Sequence, residues 1–240
     1  MQITYIYHSG YLIESDGFSI LIDFYKDSKR KDGTFWVKDY LLNKNETLYV
    51  LSSHSHGDHF NPEILTWKKQ KEDIHYIFSK EILDSGSAKP EDACYLDKFC
   101  TFEDTNLKVQ AFGSTDIGHS FLLYVEGKNV FHAGDLNNWH WNEEVSAEEA
   151  LVYENNFLHE LKLLVEQIKH FYVAMFPIDP RLGKDYMHGA QQFVSQIQTD
   201  YFLPMHFGDN FDKANAFALI AAQFGCKFLS LSHRGESFQL

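Results

Sequence analysis

Between residues 54 and 59 the chain reads His-Ser-His-Gly-Asp-His, which puts three imidazoles and a carboxylate within six consecutive positions. Side chains of this kind do not pack into an interior without a partner for their lone pairs, and imidazole with carboxylate suits zinc, iron or manganese. The run follows Leu48–Ser53, an apolar segment that reads as a buried strand. It precedes Asn61-Pro62-Glu63, where Asn is an N-cap and Pro takes the first helical position. Strand, ligand-rich turn and helix together carry side chains to the mouth of a sheet. His54 and His56 are two apart, so they project the same way from an extended segment. Gly57 lets the chain turn and aim Asp58 and His59 elsewhere. One loop can therefore feed two adjacent metal ions, and the fold must open a cleft at the end of a buried strand.

The rest of the chain supplies such a frame. Residues 2–7, 10–14 and 18–23 read as strands, with a hairpin signal at Asp16-Gly17. Residues 26–46 read as a loop with a short helix near Val37–Leu42. Further strands are predicted at 74–78, 93–96, 107–112, 120–126 and 129–133. The longest helix is predicted over 146–169, where Phe157, Leu161, Leu164 and Ile168 share one face. Strand 171–176, helix 188–198, strand 201–205, helix 212–224 and strands 227–231 and 236–239 follow. No linker rich in Gly, Pro or Ser divides the chain. The pattern predicts an α/β fold, two packed sheets with helices outside, in one domain over residues 1–240.

Composition narrows the function classes. A formal net charge of -13 repels phosphate backbones, so no nucleic-acid partner is expected. The basic run that starts at Lys26 is interrupted by Asp27 and closed by Asp32, and reads as a solvated loop. Cys94, Cys100 and Cys226 are odd in number and form no C-x-x-C, which argues against a disulfide framework or a thiolate zinc site. The start shows no basic segment followed by an apolar one, and no stretch approaches the roughly 18 apolar residues of a membrane helix. The expectation is a cytoplasmic protein with no membrane partner, either monomeric or a homo-oligomer, acting on a small molecule.

The motif His54-Ser55-His56-Gly57-Asp58-His59 resembles the H-x-H-x-D-H signature of the metallo-β-lactamase superfamily, and the resemblance covers nearly the whole chain. The opening I-T-Y-I-Y-H-S-G-Y-L-I-E, then I-L-I-D ending at Asp23, looks like the branch that includes the L-ascorbate-6-phosphate lactonase type. Phe131-His-Ala-Gly-Asp135 resembles the family's strand-end Gly-Asp, whose aspartate bridges two metals, and Leu203-Pro-Met-His206 its final ligand motif. The resemblance implies an αββα sandwich of two mixed sheets flanked by helices. It implies one or two divalent ions, zinc first with manganese or iron as alternatives, held by His54, His56, Asp58, His59, Asp135 and His206. Asp23 would buttress the histidine loop.

One element departs from the family. Its further histidine falls in Gly113-Ser-Thr-Asp-Ile-Gly-His-Ser-Phe121, where aligning the family glycine with Gly118 leaves Thr115 at the ligand position. Asp116 or water can coordinate in its place, and His119 lies on the following strand. The site of Asp58, His59, Asp135 and His206 is complete, and that of His54 and His56 is one protein ligand short.

A bound divalent ion lowers the pKa of its water to about 7, giving a metal-bound hydroxide for a small lactone, ester or phosphoester. Asp58 would orient the water as well as ligate, and His188 or Tyr186 would donate the proton. Trp139, His140 and Trp141 can stack on a ring, Arg181 can hold an anion, and His8 lies near the metal mouth in this fold. The alternatives are a phosphodiesterase or nuclease of the same fold and a metal-binding sensor without turnover. Diiron oxygen reduction in the family's usual form needs a flavin domain, for which 240 residues leave no room.

Overall fold

The three opening runs form the expected meander. β1 (Gln2–Tyr7), β2 (Gly10–Glu14) and β3 (Phe18–Ile22) pair antiparallel, and β4 (Thr47–Ser52), β5 (Ile74–Ser79) and β6 (Cys94–Leu96) add parallel to β3 in turn. The computed structural model describes all 240 residues. Its second sheet begins with β7 (Thr101–Glu103), β8 (Lys108–Phe112), β9 (Ser120–Val125) and β10 (Lys128–His132), all antiparallel. It continues with β11 (His170–Pro177), β12 (Gln198–Met205) and β13 (Lys227–Phe228), all parallel. β14 (Ser237–Gln239) returns to the first sheet against β1, so each sheet is mixed and has seven strands.

Alternation along the strands builds the layers. Tyr11, Ile13, Ile20, Ile22, Tyr49 and Leu51 are buried in one core with Val109, Phe121, Leu123 and Phe131 of the second sheet. Their neighbours Leu12, Leu21, Leu48 and Val50 point to the other face and pack under Val37, Leu41, Ile64 and Trp67. Both faces of the first sheet are thus covered, which explains apolar runs where one solvated face would give strict alternation.

The helices differ in detail from the sequence reading. α1 (Lys80–Asp84) was not expected. α2 (Ala147–Gln167) starts at Ser146, whose side chain accepts from the N–H of Glu149 while Glu149 accepts from the N–H of Ser146, a capping box. α3 spans His188–Gln196. The helix expected over 212–224 is two short ones, α4 (Phe211–Asn215) and α5 (Ala218–Gln223). Asn61 caps as expected, accepting from the N–H of Glu63 at 3.0 Å, but the segment it starts, Pro62–Lys69, winds as a 3-10 helix. The loop helix near Val37 is a π-helical turn, Trp36–Tyr40, followed by a 3-10 turn, Leu41–Asn43. No helix is long and apolar enough to cross a membrane.

Strand direction positions the site. β1 runs with β3 across the antiparallel β2, and β4 is parallel to both. β8 runs with β10 across β9, and β11 and β12 are parallel to β10. The segments leaving their carboxyl ends carry His8, Asp23, the His54–His59 loop, Asp116, Asp135, Asp179 and His206. Ligand sites of open α/β sheets lie at such strand ends.

Candidate metal centre

The histidine loop leaves β4 already tied down. The N–H of Ser53 donates to Asp23 Oδ1 and its hydroxyl to Asp23 Oδ2, both at 2.7 Å. The same Oδ2 lies 2.7 Å from His59 Nδ1, which turns His59 Nε2 inward. Glu81 accepts from both the N–H and the hydroxyl of Ser55, at 2.8 and 2.7 Å. His206 is oriented the same way as His59, with Nδ1 donating to Asp179 Oδ2 at 2.9 Å. A carboxylate behind a ligand imidazole fixes its tautomer and raises its basicity. Asp179 is in turn gripped by the Arg181 guanidinium at 2.6–3.1 Å. Burial works to raise the Asp179 carboxyl, but His206 and Arg181 hold it down at about 2.

Two ligand clusters result. His8, Asp58, His59 and His206 form one, and His54, His56, Asp116 and Asp135 the other, with the ligand-type atoms of each lying within 4.8 Å of one another. Asp135 stands between them. Its Oδ1 is 3.1 Å from His59 Nε2 and 3.3 Å from His206 Nε2, while its Oδ2 is 3.5 Å from His54 Nε2. His56 Nδ1 lies 3.3 Å from Asp116 Oδ2 and 3.1 Å from His54 Nε2. Asp116 therefore sits where the sequence left a ligand short.

The donor set fits divalent cations. His8 Nε2, His59 Nε2, His206 Nε2 and Asp135 Oδ1 are all buried and have no hydrogen-bond partner. Buried polar atoms are otherwise almost always satisfied. Burial pushes the His54 imidazole down to about 3, leaving it the neutral form that ligates. Burial, together with the Asp135 carboxylate, pushes the Asp116 carboxyl up, a conflict that a cation between the two would relieve.

Backbone conformation at this rim is costly. His8, Asp23 and His206 have φ of +59°, +49° and +65°. Non-glycine residues held there cost roughly 1–3 kcal/mol each and cluster at functional sites. Gly118 has φ +74°, and a Cβ on it would lie 2.1 Å from Ser53 O and 2.5 Å from His54 Cβ, so only glycine lets the Asp116 loop close on the histidine loop.

The remaining expectations divide. Thr115 is no ligand, because its hydroxyl donates to Asn137 O at 2.6 Å and accepts from the N–H of Asn137 at 2.9 Å, joining two loops. His119 faces Ser79 Oγ at 2.7 Å, away from both clusters. Trp139, Trp141, Tyr153 and Arg181 line a hollow of about 380 Å³ with His56, Asp58, Asp116, Asp135 and His206. Trp139 Nε1 also donates to Asp135 O at 2.9 Å, so it anchors the Asp135 backbone as well as walling the hollow.

Tyr186 and His188, expected as proton donors, are placed elsewhere. The Tyr186 hydroxyl donates to Lys213 O at 2.9 Å, and His188 pairs with Glu154 at 3.1 Å. His188 and His140 line a separate hollow with Asn138 and Asp185. Tyr186, in the turn before α3, and His188, at the start of α3, therefore lie outside the lining of the hollow beside the two clusters.

Sequence reasoning gave Asp179 no role and left His8 undecided. Asp179 has the same signal as Asp23, an aspartate just past a strand end. His132 was also missed. Its Nε2 donates to Ser9 O at 2.8 Å and its Nδ1 accepts from the N–H of Gly134, so it spans the sheets behind Asp23.

A beta-lactamase superfamily domain model matches residues 2–206. The chain belongs to this superfamily. The fold is the metallo-β-lactamase fold, as solved structures also show. A metallo hydrolase from the hyperthermophilic archaeon Ignicoccus hospitalis superposes with a TM-score of 0.68 at 19% identity, covering 100% of this chain and 98% of that one. CmlA, a diiron beta-hydroxylase from Streptomyces venezuelae, gives a TM-score of 0.67 at 14% identity over 100% of this chain and 54% of its own. In sequence, the superfamily member resembles a UPF0173 metal-dependent hydrolase of Carboxydothermus hydrogenoformans, 21% identical over 94% of this chain and 89% of the relative.

Proposed function

We propose that this metallo-β-lactamase-fold enzyme is a metal-dependent hydrolase of a small lactone, ester or phosphoester. The observation that carries the reading is Asp135, which lines the hollow with one oxygen facing the buried Nε2 atoms of His59 and His206 and the other facing the buried Nε2 of His54. One ion would be held by His54, His56, Asp116 and Asp135, and the other by Asp58, His59, His206 and Asp135. Such ions supply Lewis acidity and lower the pKa of coordinated water to about 7. Each set offers two imidazoles and two carboxylates, a donor mix that suits zinc, manganese or iron.

The chain's own groups divide the remaining work. Asp58, with a third of its side chain exposed, faces the hollow and would orient an attacking water as well as ligate. Trp139 and Trp141, with rings 6.3 Å apart, exclude water and stack on a ring or acyl group. Arg181 keeps most of its side chain exposed beside Asp179, and its outward N–H groups hold an anionic substituent. Two hydroxyls line this hollow, and because that of Thr115 is engaged with Asn137, the phenol of Tyr153 replaces Tyr186 and His188 as donor to the leaving group. An aromatic wall facing an arginine supports a ring-containing anionic ester, in keeping with the lactonase-like opening around His8. The net charge of -13 supports a small molecule over a nucleic acid.

The test is a panel of lactones, carboxylic esters, phosphomonoesters and phosphodiesters, offered to protein loaded in turn with zinc, manganese and iron. We expect turnover of a lactone or carboxylic ester that chelator abolishes and metal restores. Turnover of phosphodiesters alone would move the assignment to the phosphodiesterase reading. Tight metal binding with no turnover of any class would overturn hydrolysis in favour of a sensor.

A further inference from the structure

We propose that His8 is a metal ligand, so that the second site is built from three imidazoles and two carboxylates: His8, His59, His206, Asp58 and the shared Asp135. The inference rests on the dinuclear reading above and adds a residue from a different strand to it. His8 leaves β1, at the edge of the meander, yet its ring lies 4.2 Å from that of His206 and 6.1 Å from that of His59.

Its Nε2 is 3.2 Å from Asp58 Oδ2. Ligand atoms bound at about 2.0–2.2 Å around one ion are themselves roughly 3–3.5 Å apart, so the spacing is that of two ligands sharing a cation. Apart from this carboxylate, Nε2 has no partner among the protein's donors and acceptors, although it is buried. The other unpartnered atoms at this rim are His59 Nε2, His206 Nε2 and Asp135 Oδ1, all aimed at the same space.

The backbone enforces the aim. His8 is left-handed at φ +59°, and His206 is left-handed at +65°. The two residues are tied directly, His206 N–H donating to His8 O at 3.0 Å, and the N–H of His8 donates to the Tyr5 hydroxyl at 2.9 Å. A merely structural histidine does not require its backbone to be held in that region while its Nε2 stays unsatisfied. A ligand does, because the ion then supplies the missing partner.

The experiment compares wild type with His8→Asn and His8→Gln. Asn tolerates the left-handed backbone as His does but is too short to reach the ion. Each protein is loaded with cobalt(II), its affinity is measured by chelator competition, and the imidazoles per metal are counted by X-ray absorption. Thermal unfolding of the metal-free forms checks the fold. We expect one of two ions to bind at least about tenfold more weakly in both variants, with fewer imidazoles per metal and a changed visible spectrum. A wild type with two ions, and variants with the same affinity, imidazole count and spectrum, would overturn the role of His8 and leave the dinuclear reading intact. A wild type that holds no cobalt would overturn that reading itself. If His8→Asn loses the fold, His8→Gln decides by the same measurements.

Discussion

The backbone N–H of His206 donates to the carbonyl of His8 at 3.0 Å, joining the turn after β12 to the turn after β1. The two residues come from different sheets and are separated by most of the chain. Their link closes the metal rim across the sandwich, at the end where the parallel strands of both sheets point. Because both residues are left-handed, neither turn would hold this shape alone. The rim is a product of the two sheets meeting, and its stability is tied to theirs.

Replacing Asp135 by Ala removes the one side chain that faces both clusters. The expected result is a fall from about two bound metals per chain to less than one, with the fold retained. Elemental analysis after gel filtration checks it. Full metal content in the variant would sink the bridging assignment.

Asp179→Asn leaves His206 in place but removes the charge behind its Nδ1. Partners of this kind typically contribute 10–100-fold to metal affinity. Chelator competition should show a loss of about that size for one ion, with the other unaffected. An equal loss at both sites would mean that Asp179 acts on the whole rim instead of through His206.

Gly118→Ala and Gly33→Ala make a paired test of the loop closure. Both positions have positive φ, but a Cβ at Gly33 meets nothing within 4 Å, whereas at Gly118 it collides with Ser53 and His54. Gly33→Ala should cost about 1–2 kcal/mol for its backbone conformation. Gly118→Ala should cost roughly 1–3 kcal/mol more for overpacking and should weaken metal binding as well. Equal denaturation midpoints for the two variants would remove the close approach as the reason for glycine.

The cysteines report on the core. Cys94 and Cys100 are exposed and Cys226 is buried. Burial pushes the Cys226 thiol up to about 12, with Asp200 adding to the shift. The reactive thiolate is therefore scarce at pH values where free cysteine, with a pKa near 8.5, already ionises. Between about pH 7 and 9 a thiol reagent should reach Cys100 and, more slowly because burial also pushes its thiol up, Cys94, and should reach Cys226 only on unfolding. Three fast thiols in the native protein would show that Cys226 is not held in the core.

Chain-local patterns were enough for much of this protein. The spacing of His54, His56, Asp58 and His59 picked out candidate metal ligands because loop geometry over six residues is local, and the apolar runs of β1–β4 were legible as strands because a sheet covered on both faces buries both sides of each strand. The capping residue Asn61 was readable for the first of these reasons, although the capping box at Ser146 and the split between α4 and α5 were not. Tertiary structure alone decided which distant strand ends share a rim. It brought Asp116 to His56 and His8 to His206, set Asp179 behind His206, and placed Tyr186 and His188 outside the hollow beside the clusters. Those outcomes depend on how two sheets pack and on where long connections return, and no window of sequence records a contact between residues nearly two hundred positions apart.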